Sequence, residues 1–420
     1  MIDNRAPAPP VPDSAVPDSA TPESADAAFG GLWSAFLHRC CARLEIGAVA
    51  VRFPNRGWRH YRGQVDGPKV ALDIRTWAAL RRIAFGGELG FSEAYLSGEI
   101  GVDDVDALLR LAALNQHVLD KRLAGLGVMR FVNRLAHLLR PNTRRGSRRN
   151  IAAHYDLGNE FYQLWLDETM TYSSAWFSTD DDDLAAAQSR KYRRIAELAG
   201  IKSGSRVLEV GCGWGGFAEM VARELDGRPV SLTISDAQFR YARERIARAG
   251  LADKADIRLQ DYRDSSGEYD AVVSIEMFEA VGERNWPIYF KILRDRMATG
   301  AKAALQIITI DEDRYPSYRE SADFIQRYIF PGGMLPTRRI LENLAQRAGL
   351  AVLSSDGFGH DYARTLRLWG ERFRENWPAI QSLGFDDRFR RMWDYYLRYC
   401  EVGFSLGTID VVHLQLERRS

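Results

Sequence analysis

Val207-Leu-Glu-Val-Gly211-Cys-Gly213-Trp-Gly215-Gly216 runs from a short apolar segment into four glycines. Glycines are needed between a strand and a helix where a Cβ would block a tight turn and the close approach of a ligand to the backbone. Gly211, Gly213 and Gly216 fit the G-x-G-x-x-G pattern of dinucleotide-binding proteins, and a tight turn without a ligand is the alternative. The stretch therefore predicts a strand–loop–helix nucleotide site and leaves the cofactor open.

The second predicted strand argues against a nicotinamide cofactor. Dinucleotide-binding proteins place an Asp or Glu about 20 residues further on, where it binds the ribose hydroxyls. Here the strand ends Leu232-Thr-Ile-Ser235 before the first acid, and the glycines lie far inside the chain. Glu209, just before the first glycine, is instead the acid expected in methyltransferases that bind S-adenosylmethionine.

Short apolar runs alternate with amphipathic helices from Ile151 onward, which is typical of a parallel α/β sheet. Strands are predicted at residues 206–210, 229–234, 256–259, 270–275 and 302–310, with a last strand near 412–416. Helices are predicted over 236–249, with Ser235 as N-cap, and over 338–348 after Thr337.

The composition of the residues before Ile151 predicts a tail, a first domain and a linker. Residues 1–28 are mostly Pro, Ala, Ser and Asp, which cannot bury enough apolar surface to fold, so we predict a disordered tail. We predict a smaller, mixed or mainly helical N-terminal domain over 29–140, a basic linker over 141–150 and the α/β domain over 151–420.

The overall charge and the cysteines exclude several classes of protein. The formal net charge is +1, with 57 Lys and Arg against 56 Asp and Glu, so there is no global field that attracts nucleic acid. The four cysteines include no C-x-x-C pair, and neither a disulfide framework nor a metal site is predicted. No window approaches the roughly 18 apolar residues of a membrane-spanning helix.

One stretch is locally basic. Residues 121–150 contain nine Lys or Arg and no acid, with leucines that could form an apolar face. This pattern predicts a segment that lies on anionic lipid, and a solvated linker is the alternative. A nucleic-acid partner is not predicted, because Phe131 is the one aromatic residue in the stretch.

Eight motifs follow one another between residues 151 and 418: His154-Tyr-Asp-Leu-Gly-Asn-Glu-Phe-Tyr162, Thr171-Tyr-Ser-Ser-Ala-Trp-Phe177, the glycine loop, Leu232-Thr-Ile-Ser-Asp-Ala-Gln238, Gln260-Asp-Tyr-Arg-Asp264, Met277-Phe-Glu-Ala-Val-Gly282, Tyr328-Ile-Phe-Pro-Gly-Gly333 and Tyr362-Ala-Arg-Thr-Leu366. In these motifs the chain resembles cyclopropane-fatty-acyl-phospholipid synthases and the related mycolic acid methyltransferases. Gly90-Phe-Ser-Glu-Ala-Tyr-Leu-Ser-Gly98 extends the resemblance to the N-terminal domain.

The resemblance implies a class I methyltransferase-type Rossmann-like sheet, mostly parallel, and S-adenosylmethionine as cofactor. It implies four groups of cofactor-binding residues: Tyr172 and Ser173 over the cofactor; Glu209, Gly211 and Gly213 at its amino-acid and ribose portion; Thr233, Ile234 and Gln238 on the ribose and adenine side; and Asp261 and Tyr262 at the adenine.

The reaction that the resemblance implies is methylation of a cis double bond in a phospholipid acyl chain, followed by proton loss from a cation. In typical members the base is bicarbonate, held by Cys, Glu, His and Tyr. Glu279 and Tyr362 match this set, whereas Ser174 and Gln306 stand where the Cys and His are found. Both replacements can donate hydrogen bonds, which is compatible with bicarbonate. A base placed differently would remove a different proton from the cation and give a methylene or methyl-branched unsaturated chain instead of a cyclopropane.

The implied partner is a phospholipid bilayer surface with anionic lipids, and the implied location is cytoplasmic, on the inner face of the membrane. A homodimer is compatible with the resemblance. Two other readings stay open: an N-methyltransferase of a small amine, and a binding protein in which Ser174, Ala280 and Gln306 mark lost chemistry.

Overall fold

The structure, a computed structural model, describes residues 32–54, 57–118, 157–179, 183–320 and 322–419. These residues form two compact units. The first contains the described residues up to 118 and the later segment Phe385–Val402; the second contains the other described residues from 157 onward. The predicted tail, the linker and the basic segment lie outside the described residues, and the predicted domain boundaries stay a prediction.

The first unit is built on a four-stranded sheet. Its elements are helix α1 (Leu32–Cys41), strands β1 (Ile46–Arg52), β2 (Trp58–Arg62) and β3 (Val65–Ile74), helix α2 (Trp77–Leu96), strand β4 (Ile100–Val102) and helix α3 (Val105–Leu114). The strand order is β2-β1-β3-β4, and Val51, Ile74 and Leu80 are among its buried core residues. We did not predict the strand positions, because a strand such as Trp-Arg-His-Tyr-Arg has no apolar alternation.

The segment Phe385–Val402 returns the chain to this unit. Arg391 Nε donates to the Leu96 carbonyl at 3.1 Å. The Tyr395 ring lies 5.6 Å from that of Tyr95, measured between centroids. The first unit is therefore made from two separate stretches of chain.

The second unit contains a seven-stranded sheet. Its elements are α4 (Asn159–Gln163), α5 (Leu184–Leu198), β5 (Arg206–Val210), α6 (Gly216–Glu224), β6 (Arg228–Thr233), α7 (Asp236–Arg248), β7 (Asp256–Leu259), β8 (Tyr269–Ile275), α8 (Trp286–Arg296), β9 (Met297–Ile310), α9 (Tyr315–Glu320), α10 (Arg338–Arg347), β10 (Leu350–Gly357), α11 (Gly359–Glu375), α12 (Trp377–Ser382) and β11 (Ile409–Arg418), with helix α13 (Asp387–Ser405) shared between the units.

The strand order is β10-β11-β9-β8-β5-β6-β7. The five strands from β9 to β7 pair in parallel, and β11 and β10 add antiparallel pairs at one edge. The predicted mostly parallel α/β sheet is confirmed, with all six predicted strands present. We did not predict β10, an edge strand whose apolar start gives way to Ser-Ser-Asp-Gly.

Both predicted helices begin at the predicted N-caps. Ser235 Oγ accepts from the backbone N–H of Gln238 at 3.3 Å, and Thr337 Oγ1 accepts from that of Ile340 at 3.2 Å. The carboxyl ends of β5, β6, β7 and β8 lie along one edge of the sheet, where ligands bind in open α/β folds. None of the described helices is long and apolar enough to cross a membrane.

Candidate active site

The glycine loop follows β5 at this edge of the sheet. Gly211 and Gly213 have φ angles of +90° and +51°, in the left-handed region that favours glycine. A Cβ on Gly211 would lie 2.8 Å from Cγ of Met277, whereas a Cβ on Gly213 would meet no heavy atom of the described residues within 4 Å. The backbone at Gly213 is therefore open to the close approach of a ligand.

Glu209 precedes the loop in β5 and is 2% exposed. Its Oε2 atom is buried and has no hydrogen-bond partner among the described residues. Burial raises the pKa of Glu209 to about 7, and the nearby Ser231 hydroxyl and the positive charge of Lys191 oppose that rise. A buried acceptor without a donor is costly. This acceptor and the open backbone at Gly213 fit a ligand with hydroxyl or ammonium donors, such as S-adenosylmethionine.

The predicted ribose-side residues lie together at the end of β6. The Thr233 hydroxyl donates to Gln238 Oε1 at 3.1 Å and accepts from the Ser235 N–H at 3.2 Å. Thr233 and Gln238 are buried, and Ile234 is half-buried. The structure thus brings the three predicted residues to one place and fixes the Gln238 amide.

The predicted adenine-side residues follow β7. Asp261 is buried, and its carboxylate accepts from Arg263 Nη2 at 2.6 Å and Nε at 2.9 Å. The Tyr262 ring packs against that of Tyr289, with centroids 5.4 Å apart. We did not predict the Arg263 pairing, which holds the Asp261 carboxylate in place.

Tyr172 and Ser173 lie in a segment fixed from several sides. The Tyr172 ring contacts those of Trp165 and Trp369, at centroid distances of 5.4 and 5.3 Å. Ser173 Oγ accepts from Lys191 Nζ at 2.6 Å, and the Ser173 carbonyl accepts from Gln188 Nε2 at 2.8 Å. Both donors project from α5.

Lys191 was missed by the sequence analysis. Its neighbours Arg190, Arg193 and Arg194 make α5 look like a solvated basic helix, yet Lys191 is fully buried. Burial lowers the pKa of Lys191 to about 7, and the carboxylates of Glu276, Asp167 and Glu209 oppose that shift. The lysine places a cationic group among the acids of the site.

Three of the four predicted catalytic residues meet at a side chain that we did not predict, Glu276. Its Oε1 accepts from the Ser174 backbone N–H at 2.8 Å and from Gln306 Nε2 at 2.7 Å. Its Oε2 accepts from the Tyr362 hydroxyl at 2.7 Å. The Ser174 hydroxyl donates instead to the Ala175 carbonyl at 3.0 Å. An acid at the end of the buried strand β8 is the sequence signal that could have identified Glu276.

Gln306 is oriented by a histidine that also escaped prediction. His413 lies opposite Gln306 in the pairing of β11 with β9, and its Nε2 is 3.0 Å from Gln306 Oε1. Burial lowers the pKa of His413 to about 2, so the ring is neutral and its Nε2–H donates to the amide oxygen. The amide nitrogen of Gln306 is thereby directed towards Glu276.

Glu279, the fourth predicted catalytic residue, makes its hydrogen bond to the backbone of β9 and not to Glu276. Its Oε1 accepts from the Ile308 backbone N–H in β9 at 2.5 Å, and its buried Oε2 has no partner among the described residues. Burial raises the pKa of Glu279 to about 8, and repulsion from Glu276 is the second, smaller cause of this rise. The site therefore contains two acids, one with three donors and one with a single donor.

A family model described as mycolic acid cyclopropane synthetase matches residues 142–414, more than half of the chain. The chain belongs to this family. It is 42% identical over 378 residues to a tuberculostearic acid methyltransferase of Mycobacterium tuberculosis (strain ATCC 25618 / H37Rv), and the match covers 85% of each chain. It is 34% identical over 348 residues to a cyclopropane-fatty-acyl-phospholipid synthase of Escherichia coli (strain K12), with 80% of this chain and 85% of that one covered.

A solved mycolic acid cyclopropane synthase complexed with SAH and CTAB has the same fold. It aligns with a TM-score of 0.61 at 28% identity, covering 64% of this chain and 98% of that one. These findings confirm the family, the methyltransferase class and the Rossmann-like fold that the motifs predict.

Replacing Glu279 by Gln is expected to remove a pH-dependent loss of stability. The pKa of Glu279 rises from its usual 4.5 to about 8 in the folded protein, so the folded state binds an extra proton between these values. The stability due to that proton is complete below pH 4.5 and is lost as the pH rises through 8.

Urea denaturation at pH 6 and at pH 9 measures the free energy of unfolding. Between these two pH values, the free energy of unfolding should fall by more than about 1 kcal/mol further in wild type than in Glu279→Gln. Glu268→Gln, at an exposed acid, is the matched control and should follow wild type. A constant difference between wild type and Glu279→Gln would contradict the raised pKa.

Proposed function

We propose that this methyltransferase uses S-adenosylmethionine to modify the cis double bond of unsaturated phospholipid acyl chains, giving cyclopropane or methyl- or methylene-branched fatty acids. The observation that carries the proposal is the pair of partly enclosed, desolvated acids, Glu276 and Glu279, among the predicted catalytic residues. Removing a proton from carbon needs a base in a water-poor site. An ammonium product can lose its proton to water, so N-methylation of a small amine needs no such pair.

Relatives of the chain support a lipid substrate. The names of the two relatives described above refer to a fatty acid and to phospholipid acyl chains. The solved mycolic acid cyclopropane synthase contains SAH, the demethylated form of the proposed cofactor.

S-adenosylmethionine would supply the electrophilic methyl group. Glu209, Gly211 and Gly213 would hold its amino-acid and ribose portion, with the Glu209 Oε2 atom accepting a hydrogen bond from it. The other predicted contacts divide as the family resemblance implies: Thr233, Ile234 and Gln238 at the ribose and adenine, Asp261 and Tyr262 at the adenine, and Tyr172 and Ser173 over the cofactor.

Aromatic rings would surround the reacting carbon atoms. Tyr172, Trp165, Trp369 and Tyr362 form a continuous chain of ring contacts, with the Tyr362 and Trp369 centroids 6.1 Å apart. Ring faces attract positive charge, and their bulk excludes water. This environment suits a cationic acyl chain.

The family resemblance also implies a bicarbonate ion at Ser174, Gln306, Tyr362 and Glu279. In this chain the first three of these residues donate to Glu276. Bicarbonate would have to compete with the Glu276 carboxylate for the same donors.

The proposed activity predicts a product that mass spectrometry can detect. Purified protein with S-adenosylmethionine and vesicles of cis-monounsaturated phosphatidylglycerol should yield fatty acids heavier by one CH2 group. NMR would then distinguish cyclopropane protons from vinyl or methyl-branch protons. An unchanged acyl chain, together with methylation of a small amine and demonstrated cofactor binding, would contradict the proposal and favour the N-methyltransferase reading.

Replacing Glu209 by Ala is expected to weaken binding of S-adenosylhomocysteine at least about tenfold, because a charge-assisted hydrogen bond to the ligand is lost. Isothermal titration calorimetry measures the dissociation constant. Glu224→Ala, on the surface beside Arg193, is the control and should leave the constant unchanged. A change of less than about twofold for Glu209→Ala would exclude Glu209 from the cofactor site.

The basic segment is proposed to attach the enzyme to anionic lipid. In co-sedimentation, the full chain should bind phosphatidylglycerol vesicles at low salt and be released at high salt. Replacing Arg144, Arg145, Arg148 and Arg149 with Gln should reduce the bound fraction at least about fivefold, since each basic residue near the surface contributes about 1 kcal/mol. Equal binding of the two proteins would overturn the role of the segment.

A further inference from the structure

Glu276 has an unusual backbone conformation at the end of β8. Its φ angle is +47°, in the left-handed region that a non-glycine residue rarely adopts. Its N–H donates to the Gln306 carbonyl at 2.8 Å, which holds the backbone in this conformation. Glycine would adopt the same conformation without strain, so the acidic side chain is present at an energetic cost.

The Glu276 carboxylate is held in one orientation by donors from three segments. Ser174 lies before α5, Gln306 is in β9 and Tyr362 is in α11, and their donor atoms are 2.7 to 2.8 Å from the carboxylate oxygens. A carboxylate offers about four acceptor positions, so three donors leave one position for a further contact.

Glu276 is less enclosed than the three residues that hold its carboxylate. Ser174 and Gln306 are fully buried and Tyr362 is 6% exposed, whereas Glu276 keeps intermediate exposure. The three groups that hold the Glu276 carboxylate therefore lie deeper in the protein than Glu276 itself.

The surroundings of the two acids favour different charge states. Burial raises the pKa of both, but Glu276 receives three hydrogen bonds and the attraction of Lys191, which favour its charged form. Glu279 receives one hydrogen bond and the repulsion of Glu276, which favour its neutral form. In active sites with two carboxyl groups, different environments of this kind keep one group protonated and the other ionised, so that the two have different roles. The surroundings therefore favour the charged form at Glu276 more than at Glu279.

We propose that Glu276 is the general base of the reaction and takes the place of bicarbonate. The inference rests on the proposed function, in which methyl transfer leaves a positive charge on the acyl chain. A C–H bond of the transferred methyl group breaks, and its proton goes to the Glu276 carboxylate. For a cyclopropane, the electron pair of that bond forms the closing C–C bond to the cationic carbon. For a methylene group, a hydride shift first moves the positive charge to the carbon that bears the methyl group, and the electron pair then forms the C=C bond. Glu276 then releases the proton to water.

The test compares wild type with Glu276→Gln and Glu276→Gly, and with Glu268→Gln as a matched surface control. Acyl product formation is followed by mass spectrometry in degassed, bicarbonate-free buffer and again with added sodium bicarbonate. Calorimetry with S-adenosylhomocysteine measures cofactor binding, and circular dichroism with thermal melting reports the fold.

Wild type and Glu268→Gln should be equally active with and without bicarbonate. Glu276→Gln should lose at least about 100-fold in turnover, the usual contribution of a general base, while its dissociation constant for S-adenosylhomocysteine changes by less than about threefold. Glu276→Gly frees the donors on Ser174, Gln306 and Tyr362, so added bicarbonate should raise its turnover at least about tenfold.

Two results would overturn this inference alone: an active wild type that requires bicarbonate, or a Glu276→Gln variant within about threefold of wild type. Weakened cofactor binding in both Glu276 variants, without rescue by bicarbonate, would assign Glu276 a structural role and also overturn it. If wild type forms no acyl product at all, the proposed function fails and this inference fails with it.

Discussion

Three hydrogen bonds to one carboxylate join parts of the chain that are far apart in sequence. Ser174, Gln306 and Tyr362 each donate to Glu276. A buried carboxylate that loses its donors is strongly destabilising, so these contacts stabilise the fold only as a group. The segment around Ser174, strand β9 and helix α11 are thereby positioned together at the carboxyl edge of the sheet.

The charges around this carboxylate explain why the other buried groups are tolerated. Lys191 attracts Glu276, Glu209 and Asp167, and it also donates to Ser173. Its position on α5 couples Glu209, on the proposed cofactor side of the site, to the side where the acyl chain is proposed to react. Burial alone would favour the neutral form of each of these groups, and their mutual attraction offsets part of that effect.

Features that depend on local pattern could be predicted from the sequence. The glycine loop, the parallel strands and the caps at Ser235 and Thr337 follow from residue type and spacing over a few positions. Lys191 and His413 could not be located in this way, because their burial depends on helices and strands that pack from elsewhere. Glu276 lies directly before a recognised motif, but its role becomes visible only when three distant donors are seen to converge on it. The return of Phe385–Val402 to the first unit is likewise a property of packing.

The family resemblance implies a bicarbonate ion held by Ser174, Gln306, Tyr362 and Glu279. In this structure Ser174, Gln306 and Tyr362 instead donate to the side chain of Glu276. The most direct measurement is a crystal structure of the protein grown in excess bicarbonate. We expect density for the Glu276 carboxylate within hydrogen-bond distance of Gln306 and Tyr362, with no ion between them. A bicarbonate bound to those two residues, with Glu276 turned away, would show that Glu276 does not take the place of the ion.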